Sequence, residues 1–170
     1  ITYYLLDHHE FFNGLYWGIT GKERLRRRIA LARGAAAVIE KFCPDPVALF
    51  TNDAYAGVMA PLLKADGRYV GNEALRRAKV VHIIHNGGWQ YFDAYSRFEN
   101  GEDLFQVFDL AEHEYWRVAD PVKDNRINCM AAGIQSADKV ITVSPSYAVQ
   151  ISYASDGMEK ILSNVQGINN

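Results

Sequence analysis

Three five-residue runs, Val47–Thr51, Val80–Ile84 and Lys139–Val143, restrict the possible folds of this chain more than any other feature, because each is apolar, ends on polar residues and is separated from the next by helical periodicity. Such runs, bounded by turn formers, read as buried strands. Strands alternating with helices imply an α/β fold, a Rossmann-like parallel sheet with right-handed crossovers and helices on both faces. Ile1–Leu6 reads as an additional first strand that runs out into Asp7-His8-His9-Glu10. Lys22–Phe42 reads as a long helix, with Leu25, Ile29, Ala32, Ala36, Ile39 and Phe42 on one stripe and Pro44 and Pro46 ending it. Ala54–Leu63, Asp103–Trp116 and Arg126–Ala137 read as further helical stretches, the first of them containing Gly57 and Pro61.

Composition narrows the class. With 170 residues, 49% hydrophobic and 22% charged, the chain can bury one core and reads as one soluble domain. A net charge of -2 argues against a nucleic-acid partner, which needs a basic excess on one face. No apolar run approaches the roughly 20 residues of a membrane helix, and the first residues lack a basic segment followed by an apolar one. The expectation is a cytoplasmic protein with no membrane partner. Cys43 and Cys129 stand far apart without a second thiol or histidine at metal spacing, so reduced, buried thiols are expected.

In an open parallel sheet, ligands bind beyond the carboxyl ends of the strands. Asn52-Asp53, His85-Asn86 and Ser144-Pro145-Ser146 follow the three runs and therefore share one rim, and His85-Asn86 continues into Gly87-Gly88-Trp89-Gln90. A histidine there is placed to touch substrate, although a strand-end histidine is also a common structural residue. Asp53 reads either as a functional carboxylate or as a helix N-cap, and the two roles are compatible. His82 and His85 are not a metal pair, since positions three apart in a strand face opposite ways. His8-His9-Glu10 reads as a solvated or acceptor-contacting loop and not as a ligand cluster. The run Arg24, Arg26, Arg27 and Arg28 reads as the solvated face of its helix rather than a phosphate or glucan site. Trp89, Tyr91 and Phe92 either stack on sugar rings or pack at an interface. Ser144 lacks the Gly-x-Ser-x-Gly elbow of a hydrolase, and Ser144 or Ser146 reads as a cap of the next helix.

Three motifs in order carry a resemblance. They are Asn52-Asp53-Ala54-Tyr55-Ala56-Gly57, Ile84-His85-Asn86-Gly87-Gly88-Trp89-Gln90, and Ala137-Asp138-Lys139-Val140-Ile141-Thr142-Val143-Ser144-Pro145-Ser146-Tyr147-Ala148. Together they resemble the bacterial glycogen synthases and plant starch synthases, and Tyr4-Leu5-Leu6-Asp7 through Leu15-Tyr16 is similar to the strand-loop segment before that family's long helix. The sequence departs from the family at Ala54-Tyr55, where Trp-His is usual, and at Ala131, where a lysine is usual.

The resemblance implies the first domain of a two-Rossmann-domain (GT-B type) enzyme, with residues 1–170 a partial, acceptor-side domain and the C-terminal nucleotide-sugar domain absent from this chain. It implies retaining transfer of glucose from ADP-glucose or UDP-glucose to the non-reducing end of an α-1,4-glucan, with no metal and no cofactor. Asp53 and His85 match the family's catalytic positions. Asn52, Tyr55, Asn86, Trp89, Gln90 and Ser144 are the implied substrate contacts. The chain on its own is expected to be inactive, because the donor-binding groups lie elsewhere. A non-catalytic glucan- or nucleotide-binding module of the same fold is the alternative.

Overall fold

The computed structural model describes residues 2–7, 20–43, 45 and 48–168. Helix α1 spans Gly21–Phe42. A capping box starts it: the Thr20 hydroxyl accepts from the Glu23 amide at 3.2 Å, and the Glu23 carboxylate accepts from the Thr20 amide at 2.9 Å. Its buried stripe is Leu25, Ile29, Ala32 and Ala36, and burying Leu25 and Ile29 contributes about 1.5–3 kcal/mol each. Arg28 is buried on the same side, so this member of the basic run is not on a solvated face. Cys43 follows the helix and is exposed, contrary to expectation, while Cys129 is buried and its thiol is pushed up by burial.

The expected strand over the first six residues is absent among the described residues 2–6. Its side chains lie along α1 instead. Tyr4 stacks on Phe42 with ring centroids 4.9 Å apart, and Leu6 lies over Gly34. Tyr3 and Leu5 stay exposed, so this segment gains burial from the helix and not from a sheet ladder.

After α1 come β1 (Ala48–Asn52), α2 (Asp53–Gly57), α3 (Met59–Ala65), α4 (Gly67–Val70), α5 (Glu73–Arg77) and β2 (Lys79–Ile84). The single helix expected over Ala54–Leu63 is broken at Val58, with Pro61 in the first turn of α3 where its missing N–H costs nothing. An irregular segment follows β2. It contains a 3₁₀ turn at Trp89–Tyr91, β3 (Ala94–Ser96), the hairpin β4 (Phe98–Glu99) and β5 (Glu102–Asp103), 3₁₀ turns at Leu104–Phe108 and Glu112–Arg117, and β6 (Arg126–Asn128). Then come α6 (Cys129–Ser136), β7 (Lys139–Thr142), α7 (Pro145–Tyr153), a 3₁₀ turn at Met158–Lys160 and β8 (Gln166–Gly167).

Two expected helices take other forms. Residues 103–116 do not make one α-helix, because Asp103 caps the Phe105 amide and Asp109 takes a left-handed conformation at φ 57°. Phe105 and Phe108 are buried, and Tyr115 meets Phe105 edge-on at 5.2 Å. Arg97 ties this unit together by pairing with Asp103 at 2.6 Å and lying 4.3 Å from the Tyr115 ring centre. Residues 126–128 are a strand antiparallel to β3, and the helix starts only at Cys129, where the Asn128 side chain accepts from the Ala131 amide at 2.9 Å.

The main sheet is parallel in the order β1-β2-β7-β8, with Thr51 opposite His82 and His82 opposite Val140. Val80, His82 and Ile84 are buried, whereas Val81 and Ile83 are half-covered and Phe50 is exposed. Helix α6 crosses the buried face where Gly133 meets His82, since a Cβ at Gly133 would lie 2.4 Å from the imidazole ring. A Cβ at Gly57 would likewise lie 2.1 Å from the Cys129 carbonyl, so α2 and α6 also touch through a glycine. The opposite end of β2 is clamped by Asp138, whose carboxylate accepts from the Val80 amide at 2.9 Å. Burial would raise this carboxyl, but bonds from Lys64, the Val80 amide and Lys79 outweigh it and hold it below the usual range.

His82 is fully buried. Its Nδ1 shares a 2.9 Å hydrogen bond with the Thr51 hydroxyl, and its Nε2 has no partner. Burial pushes the imidazole from 6.5 down to about 4, so the folded state holds it neutral. Stability from the neutral ring is complete above the unfolded value and is lost as the pH falls from about 6.5 through about 4, a loss of roughly 3 kcal/mol. The stabilising carboxylates Asp66, Asp103 and Asp138 sit below 3.8 and give up their contribution at lower pH. Urea unfolding from pH 7 to pH 4 should show this loss in wild type and a flatter profile in His82→Gln; equal slopes would contradict it.

Candidate active site

The carboxyl ends of β1, β2 and β7 lie side by side on one rim. The Thr142 hydroxyl donates to the Ile84 carbonyl at 2.6 Å, which ties β7 to the last residue of β2 just below that rim. Asn52 ends β1, and Asp53 follows with φ 49°, a left-handed backbone that turns the chain sharply into α2. Asp53 does not cap that helix. Its Oδ1 reaches across and accepts the backbone N–H of His85 at 2.8 Å. The Asn52 side-chain carbonyl lies 3.0 Å from His85 Nε2, so with this amide orientation Nε2 carries the proton and Nδ1 keeps a lone pair. Asn52, Asp53 and His85 therefore form one linked cluster with the imidazole exposed to solvent.

The turn after His85 is held by a residue outside the sequence-derived site. Tyr147, on α7, accepts the Gly87 N–H through its hydroxyl at 2.6 Å. Asn86 is exposed beside this anchor. Ser144 is the N-cap of α7, accepting the Tyr147 amide at 3.1 Å, so its cap reading is borne out and its hydroxyl is engaged in the fold. Trp89 and Gln90 are exposed beyond the turn, where they line a cavity of about 490 Å³ together with residues of β3 and of the 120–126 segment.

Tyr55 faces inward. The Arg28 guanidinium lies 3.6 Å from its ring centre and pairs with Asp93 at 2.6 Å, and Asp93 also accepts from the Tyr95 hydroxyl. Burial would lower the Arg28 value, but the charge of Asp93 and its bond outweigh that and keep the group raised and charged. One face of the Tyr55 ring is thus taken by protein. The signal for Arg28 was present in its position, three residues after Leu25 and four before Ala32, which puts it on the apolar stripe. Tyr147 had no comparable signal, because its partner Gly87 is 60 residues away.

His82 lies under Gly133 and His85 on the rim, and among the described residues no group of three or more His, Cys, Asp or Glu side chains is arranged to hold a metal. His8-His9-Glu10 lies outside the described residues. No helix among the described residues is long and apolar enough to cross a membrane.

A parallel sheet with helices and a polar cluster at its carboxyl rim define an α/β ligand-binding domain of the Rossmann-like class. Comparison with known proteins narrows that class. A family profile described as the starch synthase catalytic domain matches residues 1–164. Glycogen synthase of Chlorobaculum parvum is 32% identical over 95% of this chain and 32% of its own length, and glycogen synthase of Lactococcus lactis is 31% identical over 98% of this chain and 33% of its own length. The solved catalytic domain of starch synthase IV from Arabidopsis thaliana, bound to ADP and acarbose, shares the fold with TM-score 0.66 at 21% identity, covering 94% of this chain and 32% of that one. The chain belongs to the glycogen/starch synthase family. It spans about one third of the length of these relatives.

Replacing Tyr147 by Phe removes the acceptor of the Gly87 N–H. The expected cost is about 1 kcal/mol in unfolding free energy, with faster hydrogen exchange at the Gly87 amide. Unchanged exchange at that amide would show that the hydroxyl does not hold the turn.

Proposed function

We propose that this chain is the acceptor-side part of the first domain of a two-domain glucosyltransferase, which moves glucose from ADP-glucose or UDP-glucose to the non-reducing end of an α-1,4-glucan with retention. The observation that carries this reading is the linked Asn52–Asp53–His85 cluster at the ends of two adjacent parallel strands. It sits on residues of two motifs shared with a family whose matched members are glycogen and starch synthases. The solved relative bound to ADP and acarbose adds support for a nucleotide-sugar donor and a glucan acceptor. The rest of the protein supplies the second Rossmann-like domain and the donor-binding groups, and the cytoplasm is its proposed location.

As the nucleotide diphosphate leaves, the donor C1 becomes oxocarbenium-like, and fixed dipoles and charges must stabilise the separating charges. In this reading Asp53 uses Oδ1 to hold the His85 backbone and keeps Oδ2 for the acceptor hydroxyl, which it orients or helps to deprotonate. His85 positions the donor glucose by hydrogen bonding to its hydroxyls or to backbone near C1, and Asn52 fixes the imidazole for that task. Asn86 lies at the same turn and is assigned to substrate contact.

Transfer of labelled glucose from ADP-glucose and from UDP-glucose onto glycogen, by the intact protein as its gene encodes it, tests the assignment. His85→Ala and Asp53→Ala should each lower kcat by about 10²-fold or more, with unfolding midpoints near wild type. Wild-type rates in both variants would remove the catalytic assignment, and glucan binding without any transfer would favour the non-catalytic module.

The 170-residue chain alone should show no turnover with either donor, because this reading places the donor-binding groups elsewhere in the protein. Robust transfer by the isolated chain would overturn that division of labour.

A further inference from the structure

The cavity beyond the His85 turn has a lining that the rim chemistry does not use. Trp89 stands at it with 71% of its surface exposed, an uncommon state for an indole in a folded chain. Its backbone N–H is fixed to the Asp156 carboxylate at 3.0 Å, so the ring is carried on an anchored turn. The other walls bring Arg24 from α1 together with Asp120, Lys123 and Arg126 from the segment that leads into β6. Among the described residues none of these three cations makes an ion pair with a carboxylate. Arg126 spends one Nη2 contact on the Ala94 carbonyl at 3.3 Å, and its Nε is buried with no partner. An unmet guanidinium N–H at a cavity wall is a donor in need of an acceptor.

Charge decides the chemical class of ligand. Asp93, also on the wall, is neutralised by Arg28 behind it, which leaves Asp120 and Asp156 set against Arg24, Lys123 and Arg126. A phosphoryl group would gain the cations but would also meet two carboxylates in the same small space. An uncharged ligand bearing many hydroxyls can donate to the carboxylates and accept from the guanidinium groups at once. It can also lay an apolar ring face on the exposed indole. At about 490 Å³ the cavity falls in the range of small-molecule sites.

We propose that the cavity bounded by Trp89, Asp120, Arg126 and Asp156 is an oligosaccharide subsite that holds a part of the α-glucan remote from the reacting end. It deepens the glucosyltransferase reading and rests on it only for the identity of the glucan. The His85 turn joins the two places in sequence, since four residues separate His85 from Trp89. A glucan seated on Trp89 would stay tethered while its end is extended at Asp53 and His85.

Calorimetric titration of the intact protein with maltoheptaose, and separately with inorganic phosphate, tests this. Trp89→Ala should raise the maltoheptaose Kd about tenfold or more, while Trp89→Phe, which keeps an aromatic face, recovers most of the affinity. Asp156→Asn and Arg126→Gln should each weaken binding as well. Because Trp89 is exposed, its replacement should leave the unfolding midpoint near wild type. Failure of the wild type to bind maltoheptaose, binding by Trp89→Ala and Arg126→Gln within about twofold of wild type, or phosphate binding that depends on Arg126 while maltoheptaose binding does not, would each overturn the subsite. Glucosyl transfer measured on the same samples separates the two readings: binding that depends on Trp89 without transfer removes the enzymatic reading and keeps the subsite, whereas transfer with Trp89-independent binding does the reverse.

Discussion

The buried hydrogen bond between Thr51 and His82 sets the geometry on which the rest depends. It joins directly opposed residues on β1 and β2 and lies beneath α6, where only a glycine at 133 leaves room for the imidazole. A slip of one residue between these strands would send His82 to the half-covered face and break the bond. The register it fixes is the one that puts Asn52 and Asp53 beside His85. The site is therefore a consequence of a polar contact in the core, one residue back along β1 and three back along β2.

The rim uses a second layer of fixation. Asp53 departs from the usual role of an acidic residue at the start of a helix and spends one oxygen on the backbone of the neighbouring strand. Its left-handed backbone is the local strain that makes this reach possible. Tyr147 then fixes the glycine turn from α7, and Asp156 fixes Trp89 beyond it. Anchors of this kind keep polar groups in place before a substrate arrives, which lowers the entropy cost of binding.

Beneath the rim, Arg28, Asp93, Tyr55 and Tyr95 form a part-buried polar set that joins α1 and α2 to the start of β3. Its members are mutually satisfied, so it acts as a rigid support. The same set explains why Tyr55 is a poor candidate for free stacking and why Arg28 cannot serve on a solvated face.

The sequence alone was sufficient for the helix Gly21–Phe42, the three parallel strands and the rim they share, because these follow from local periodicity and from polar residues at strand ends. His85 and Asp53 were legible for the same reason. Tertiary structure decided the rest. Residues 103–116 carry a helical pattern but are drawn into two 3₁₀ turns by contacts to Arg97, and 126–128 become a strand because β3 lies alongside. Residues 2–6 have strand-like composition but pack on α1. Arg28 with Asp93, Tyr147 with Gly87, and Asp156 with Trp89 are pairs 60 or more residues apart, and no local pattern encodes such a meeting. Periodicity reports which face of an element is apolar, whereas the partner across a gap is set only when the faces close on one another.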